Sequence, residues 1–214
     1  MNTLIVNGGN IDFDFALAFI KNEKFDFVIA ADKGMEFAQK AEICPDLIVG
    51  DFDSGRQTAL QYFREKQVEI RTFRPEKDST DMEIAMLAAV ERGSTCITVL
   101  GASGSRLDHV LGSIKNLTIA AKAGVPCVLV DRNNRVRLME RSFSIKKEEQ
   151  FGKYVSLLAF AEPVTGITLK GFFYPLNGYT MGSGDAIGIS NEIVDEEATV
   201  EFDTGRLLVI ESRD

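Results

Sequence analysis

Up to about residue 139, short β-branched runs alternate with segments of helical periodicity. Leu4-Ile5-Val6, Phe27-Val28-Ile29, Leu47-Ile48-Val49, Val68-Glu69-Ile70, Ile97-Thr98-Val99-Leu100 and Cys127-Val128-Leu129-Val130 read as strands. Between them, residues 35–41, 57–66, 82–91 and 110–123 carry apolar side chains at spacings of three and four, the pattern of amphipathic helices. This alternation predicts an α/β fold: a mainly parallel sheet with flanking helices.

From about Phe143 the texture is β-type, with expected strands over residues 154–160, 167–176 and 186–193. A hairpin is expected through Asp203-Thr204-Gly205 into Leu207-Leu208-Val209-Ile210. No helix of ordinary length fits there. The change divides the chain into domains 1–139 and 140–214, and the charged run Lys146-Lys147-Glu148-Glu149 at their junction speaks for close packing over a Gly/Ser tether. No internal repeat interrupts either part.

With 214 residues, 45% of them hydrophobic, the chain can bury a substantial core. A formal net charge of -8 argues against nucleic-acid or anionic-membrane partners, which reward a basic surface. Residues 1–10 hold only a short apolar stretch ended by Gly8-Gly9, and no apolar run approaches the roughly 20 residues of a membrane span, so a cytoplasmic protein without a signal peptide is expected. Cys44, Cys96 and Cys127 are odd in number and widely spaced, which predicts buried free thiols and neither disulfides nor a metal site.

The most informative chemistry lies in Asp46-Leu47-Ile48-Val49-Gly50-Asp51-Phe52-Asp53-Ser54. If the chain stays extended through Phe52, a period of two aims the Asp51 and Asp53 carboxylates at one small volume, which then needs a cation. The alternative is an acidic strand end leading into a helix capped by Ser54 with Gln57. In an open parallel sheet, ligands bind beyond the carboxyl ends of the strands. Asp32, the pair Asp51 and Asp53, and Gly101-Ala102-Ser103-Gly104-Ser105 each follow a predicted strand and open on that edge. Thr80 with Glu83 forms a capping box that puts Asp81 in the first turn of a helix and Lys77 in the loop before it, a point charge for a phosphate. Asp78 and Asp81 also suit a helix dipole without any ligand.

The loop from Gly101 precedes a helix start, where free N–H groups receive phosphate oxygens, although it lacks both the P-loop ending and the dinucleotide fingerprint. Arg106, Asp108 and His109 crowd that helix's first turn, and His109, the only histidine, excludes a multi-histidine metal centre. Several carboxylates with a Lys, an Arg and a glycine loop suit Mg²⁺ and phosphoryl-type transfer.

These residues resemble the thiamine pyrophosphokinase (thiamine diphosphokinase) family of bacteria. The resemblance spans nearly the whole chain through Ala31-Asp32-Lys33-Gly34, residues 45–54, residues 77–83, Arg106-Leu107-Asp108-His109 and Ser190-Asn191-Glu192. Gly104-Ser105-Arg106 departs from the family's usual Gly-Gly-Arg. The resemblance implies transfer of the pyrophosphoryl group of ATP to the hydroxyl of thiamine, releasing AMP. It implies that Asp32, Asp51, Asp53 and Asp81 bind Mg²⁺ and orient or deprotonate that hydroxyl. Asp51, Asp53, Asp81 and Arg106 then form the catalytic set, and Lys77, Thr80, Arg106, Asp108 and His109 the nucleotide site. It further implies a C-terminal β-sandwich that completes the thiamine pocket across a homodimer interface, with Ser190 and Asn191 at the vitamin. Some family members stack a tryptophan on thiamine. This chain has none, and Phe172, Phe173 or Tyr174 are the candidates for that wall, against a role in core packing. A metal-dependent phosphohydrolase and a non-catalytic thiamine or nucleotide sensor are the competing readings.

Overall fold

The computed structural model describes residues 1–52, 57–72 and 79–214. They form two compact units, Met1–Arg132 and Asn133–Asp214.

In the first unit, strands β1 (Asn2–Val6), β2 (Phe27–Ala31), β3 (Leu47–Gly50), β4 (Glu69–Thr72), β5 (Cys96–Leu100) and β6 (Cys127–Val130) lie in the order β6-β5-β1-β2-β3-β4. Every pairing is parallel. Helices α1 (Phe13–Asn22), α2 (Gly34–Lys40), α3 (Gln57–Glu65), α4 (Asp81–Glu91) and α5 (Leu107–Lys122) alternate with the strands. The expected parallel α/β arrangement is therefore the observed one. Leu4, Ile5, Ile29, Leu47, Ile48 and Ile97 are fully buried, as strands covered on both faces require. α1 was not among the predicted helices, since its Phe13, Phe15 and Phe19 blur the apolar stripe. It starts where the Asp12 carboxylate accepts the Phe15 N–H.

The strand order reverses beside β1: the chain runs outward through β2, β3 and β4, then returns to β5 on the other flank of β1. Crevices at such switch points are the usual ligand sites of open parallel sheets.

The second unit holds β7 (Asn134–Met139), β8 (Phe143–Lys146), β9 (Tyr154–Ala159), β10 (Val164–Lys170), β11 (Leu176–Met181), β12 (Asn191–Glu192), β13 (Glu197–Glu201) and β14 (Leu207–Ser212). One antiparallel set runs β12-β9-β14-β7, the other β11-β10-β13-β8. Val155, Leu157, Leu207 and Val209 from the first meet Ile145, Val164, Ile167, Leu169 and Val200 from the second in one core, which makes the unit a β-sandwich.

Several local expectations change. Residues 134–139 belong to the second unit, because β7 pairs along its whole length with β14. The charged run at 146–149 is no junction: Lys146 ends β8 and Lys147–Glu149 form a short 3₁₀ turn inside that unit. The turn at Asp203–Gly205 does not close a hairpin. β13 pairs with β10 and β8, whereas β14 pairs with β7 and β9, so the turn carries the chain from one sheet to the other. It is tied to β10, with the Asp203 N–H donating to Thr165 O and the Thr165 N–H to Thr204 O. The expected strand over 167–176 ends at Lys170, where Gly171 adopts φ +76°. Of residues 186–193 only Asn191 and Glu192 form a strand.

All three cysteines are free, but Cys44 is exposed and Cys96 and Cys127 are only half-buried, short of the buried thiols expected. Burial does push the Cys96 and Cys127 thiols up. No helix among the described residues is long and apolar enough to cross a membrane.

Candidate active site

The site is built from what leaves the carboxyl edge of the first unit's sheet. Val6 pairs with Ala30 and Leu100, Leu100 with Val130, and Ala31 with Val49. Asn7, Asp32, Asp51, Gly101 and Asp131 therefore emerge side by side on that edge.

The loop after β1 is fastened to the loop after β5. Asn7 N donates to Leu100 O at 2.8 Å, Gly9 N to Gly101 O at 3.0 Å and Asn10 N to Ser103 O at 2.7 Å. A Cβ on Gly9 would come within 2.2 Å of Ser103 O and 2.3 Å of Gly101 O, so this contact requires glycine. Asn7-Gly8-Gly9-Asn10 thus borders the switch point together with the predicted Gly101 loop. In the sequence, Gly8-Gly9 marks only the end of an apolar stretch. The available signal was a double glycine directly after a central parallel strand.

Asp32 has φ +51°, a left-handed conformation that Asp tolerates better than most residues. Its N–H donates to Val49 O at 3.0 Å, locking the turn onto β3. Its Oδ2 lies 3.0 Å from where a Cβ on Gly8 would stand, so the carboxylate faces the β1 loop. α2 begins close behind it, with Gly34 against Val6 O.

Asp51 follows β3 as expected, but the chain does not stay extended after it. Phe52 takes φ +51° and buries its ring among Ala30, Met35, Ala38, Leu60 and Phe63, folded back over Gly50. A left-handed residue costs about 1–2 kcal/mol, and burying a Phe ring returns about 1.5–3 kcal/mol, so packing decides the turn. The period-of-two argument for aiming Asp51 and Asp53 together therefore fails at Phe52. Asp53 and the proposed cap Ser54 lie outside the described residues, as do Lys77 and Asp78.

Thr80 caps α4, its hydroxyl accepting the Glu83 N–H at 3.2 Å. Asp81 occupies the first turn beside the buried Met82, whose sulfur receives the Asn7 amide at 3.6 Å. That contact brings the start of α4 to the end of β1. Asp32 and Asp51 thus leave the same sheet edge, and the helix turn that carries Asp81 starts near the end of β1. Among the described residues, however, no three acidic, Cys or His groups stand close enough to hold a metal ion together. The oxygen-only donors still suit Mg²⁺, which takes one or two carboxylates and completes its shell with phosphate and water.

At the start of α5, Arg106 holds Asp108 through Nε–Oδ1 at 3.2 Å and Nη2–Oδ2 at 2.6 Å. Asp108 Oδ1 also accepts the His109 backbone N–H at 2.9 Å. The Arg106 guanidinium, foremost, and the His109 N–H pull the Asp108 carboxyl down to about 2, and Asp108 in turn raises Arg106. All three residues are exposed. The fork is oriented before any ligand arrives, at little gain in stability for so exposed a pair.

Ser190 and Asn191 belong to the second unit. Ser190 is exposed at φ +59°, and its N–H donates to Ser156 Oγ at 3.0 Å. Asn191 is buried, and its amide is already engaged: Oδ1 accepts the Tyr174 N–H at 2.9 Å and the Glu192 N–H at 3.0 Å, while Nδ2 donates to Tyr174 O at 2.8 Å. A groove of about 400 Å³ opens beside it, lined in part by Tyr174, Ile187 and Ile189.

Residues 19–129 match the family model for the thiamin pyrophosphokinase catalytic domain, and residues 141–207 the model for the thiamin pyrophosphokinase vitamin B1 binding domain. The thiamine pyrophosphokinase of Bacillus subtilis is 33% identical over 87% of each chain. A crystal structure of thiamine pyrophosphokinase from Bacillus subtilis superposes with a TM-score of 0.88 at 30% identity over the full length of both chains. One from Geobacillus thermodenitrificans gives 0.84 at 32% identity, covering 100% of this chain and 98% of that one. The yeast enzyme, at 16% identity, shares the fold with a TM-score of 0.82 over 99% of this chain and 86% of its own. With both halves matched in order and these relatives aligned along nearly the whole sequence, the chain belongs to the thiamine pyrophosphokinase family.

Proposed function

We propose that the chain transfers the pyrophosphoryl group of ATP to the hydroxyl of thiamine, yielding thiamine diphosphate and AMP. The observation that carries this reading is the succession, in one chain, of a thiamin pyrophosphokinase catalytic domain and a vitamin B1 binding domain. The first unit then supplies the nucleotide and reaction site, and the sandwich the vitamin site.

In this reading Asp32, Asp51, Asp53 and Asp81 form the acidic edge. One of them accepts the proton of the thiamine hydroxyl as it attacks, since an alcohol is a poor nucleophile at neutral pH. Arg106 offsets charge on the transferring group, held in line by Asp108. Lys77 and Thr80 border the phosphates from the loop before α4, and Asp108 and His109 from the start of α5. The same carboxylates would hold Mg²⁺, which when bound shields the triphosphate charge. Ser190 and Asn191 serve the vitamin. The net charge of -8 favours the cationic thiazolium ring over anionic macromolecules.

The working form in this proposal is a cytoplasmic homodimer with sites at the subunit interface. Mixing Asp51→Asn protein with Ser190→Ala/Asn191→Ala protein restores activity if sites are shared, and leaves it absent, despite subunit exchange, if they are not. The reaction itself is tested by acceptor dependence. ATP consumption that requires thiamine supports the transfer, and equal consumption with release of phosphate in its absence marks a phosphohydrolase instead.

A further inference from the structure

Asn7 is the first residue beyond β1 and half-buried, and its side-chain NH₂ group is committed to two neighbours. Of the two hydrogens that such a group offers, one goes to Gly101 O at 3.1 Å and the other to Met82 Sδ at 3.6 Å. The Asn7 main chain meets the same loop. Its N–H donates to Leu100 O at 2.8 Å, and a Cβ on Gly101, whose φ is +73°, would come within 2.4 Å of Asn7 O. One residue thereby ties the end of β1 both to the loop after β5 and to the first turn of α4.

Neither acceptor needs this donor. Gly101 O already receives the Gly9 N–H at 3.0 Å, and a thioether sulfur is a weak acceptor that packs equally well against hydrocarbon. Met82 is only 4% exposed, so a leucine at position 7, close to asparagine in shape, would bury apolar surface against it and leave no acceptor orphaned. What the amide adds is direction. With two donors converging on it, the Gly101 carbonyl is held at a fixed angle. The peptide bond that follows is trans and planar, so the Ala102 N–H points the opposite way, away from the β1 loop. The same NH₂ group fixes where the first turn of α4 stands relative to that loop, with Thr80 as its cap and Asp81 beside Met82.

Resting on the proposed function, in which the loop before α4 and the start of α5 border the phosphates, we infer that Asn7 is a positioning residue for the nucleotide. It acts through Met82 on the first of these segments and through Gly101, whose loop leads into α5, on the second. Its loss lets the two drift against each other, and small misplacements of that kind are costly at a site that must align a phosphate chain.

Calorimetric titration of the full chain with Mg²⁺ and α,β-methylene-ATP, which cannot be cleaved at the bond the transfer breaks, tests the inference. Steady-state KM for thiamine is measured alongside, and urea unfolding verifies the fold of each variant. Asn7→Leu keeps the volume and removes the amide. It is expected to bind the analogue about tenfold more weakly, with the KM for thiamine within about twofold of the wild type. Asn7→Ser, too short to reach both acceptors, should show the same split, and it decides alone if Asn7→Leu does not fold. Thr3→Val is the control for a merely structural loss, since it removes the buried 2.7 Å bond between the Thr3 and Ser94 hydroxyls near the other end of β1. It should lower the urea midpoint and leave analogue affinity within about twofold. Asn7 variants that bind the analogue as the wild type does overturn the positioning role. An equal rise in the KM for thiamine, or an equal loss of analogue affinity in Thr3→Val, also overturns it, because either marks general loosening. Wild-type protein that binds no analogue overturns the nucleotide reading itself, a result separate from any variant outcome.

Discussion

The Asp32 carboxylate occupies the margin that a side chain at Gly8 would need: a Cβ there would lie 3.0 Å from Asp32 Oδ2 and 3.2 Å from Lys33 N. The glycine loop after β1 and the acidic turn after β2 are thus one construction. Gly8→Ala should shift the carboxylate by a few tenths of an ångström, lowering turnover about tenfold while unfolding stability stays within about 1 kcal/mol. Gly34→Ala should behave differently, since its Cβ would fall 1.8 Å from Val6 O and backbone must move. A loss of about 2 kcal/mol or more is expected. Steady-state kinetics with urea unfolding separates the two.

Removing charge from the acidic edge should impair chemistry and spare the fold. Asp51→Asn or Asp53→Asn is expected to cut turnover about a hundredfold, with the unfolding midpoint little changed. Near-normal turnover in either variant would remove that residue from the central role.

The Arg106–Asp108 pair fixes a pH window. The Asp108 carboxyl titrates at about 2 in the folded chain against an ordinary 3.8. Its favourable interaction is therefore complete above 3.8 and lost as pH falls toward 2. Above pH 5 this pair should contribute no pH dependence to stability or activity. Following the Asp108 carboxyl carbon by NMR should show a midpoint near 2 that rises toward 3.8 in Arg106→Ala.

A different acidic residue holds the sandwich. Glu211 is fully buried and accepts from Arg135 Nε at 2.9 Å, Arg135 Nη2 at 2.6 Å, Arg137 Nη2 at 2.7 Å and Phe151 N at 3.0 Å. Burial lowers the affinity of the Arg137 guanidinium for its proton, with Glu211 opposing that effect. Glu211→Leu leaves both guanidinium groups without their carboxylate and should cost roughly 3 kcal/mol, read as a lower urea midpoint at unchanged slope.

How far the sequence revealed all this depends on the range of the interaction involved. The strands of the first unit were legible because each is a continuous apolar run buried on both faces, and Thr80 because a cap is a contact three residues long. The turn at Asp203–Gly205 was legible as a turn, but the sheet joined by Leu207–Ser212 was not, since pairing with β7 and β9 is set by partners far away in the chain. Phe52 shows the same limit within the site. Its alternation looked extended until its ring found the pocket formed by Met35, Leu60 and Phe63. Asn191 was recognisable as important by family resemblance, yet its grip on Tyr174 joins residues 17 positions apart and left no local signature.

The most direct test is to incubate the purified chain with thiamine, ATP and Mg²⁺ and identify the products by phosphorus NMR. AMP and thiamine diphosphate in equal amounts are the expected result. ADP with thiamine monophosphate would contradict pyrophosphoryl transfer.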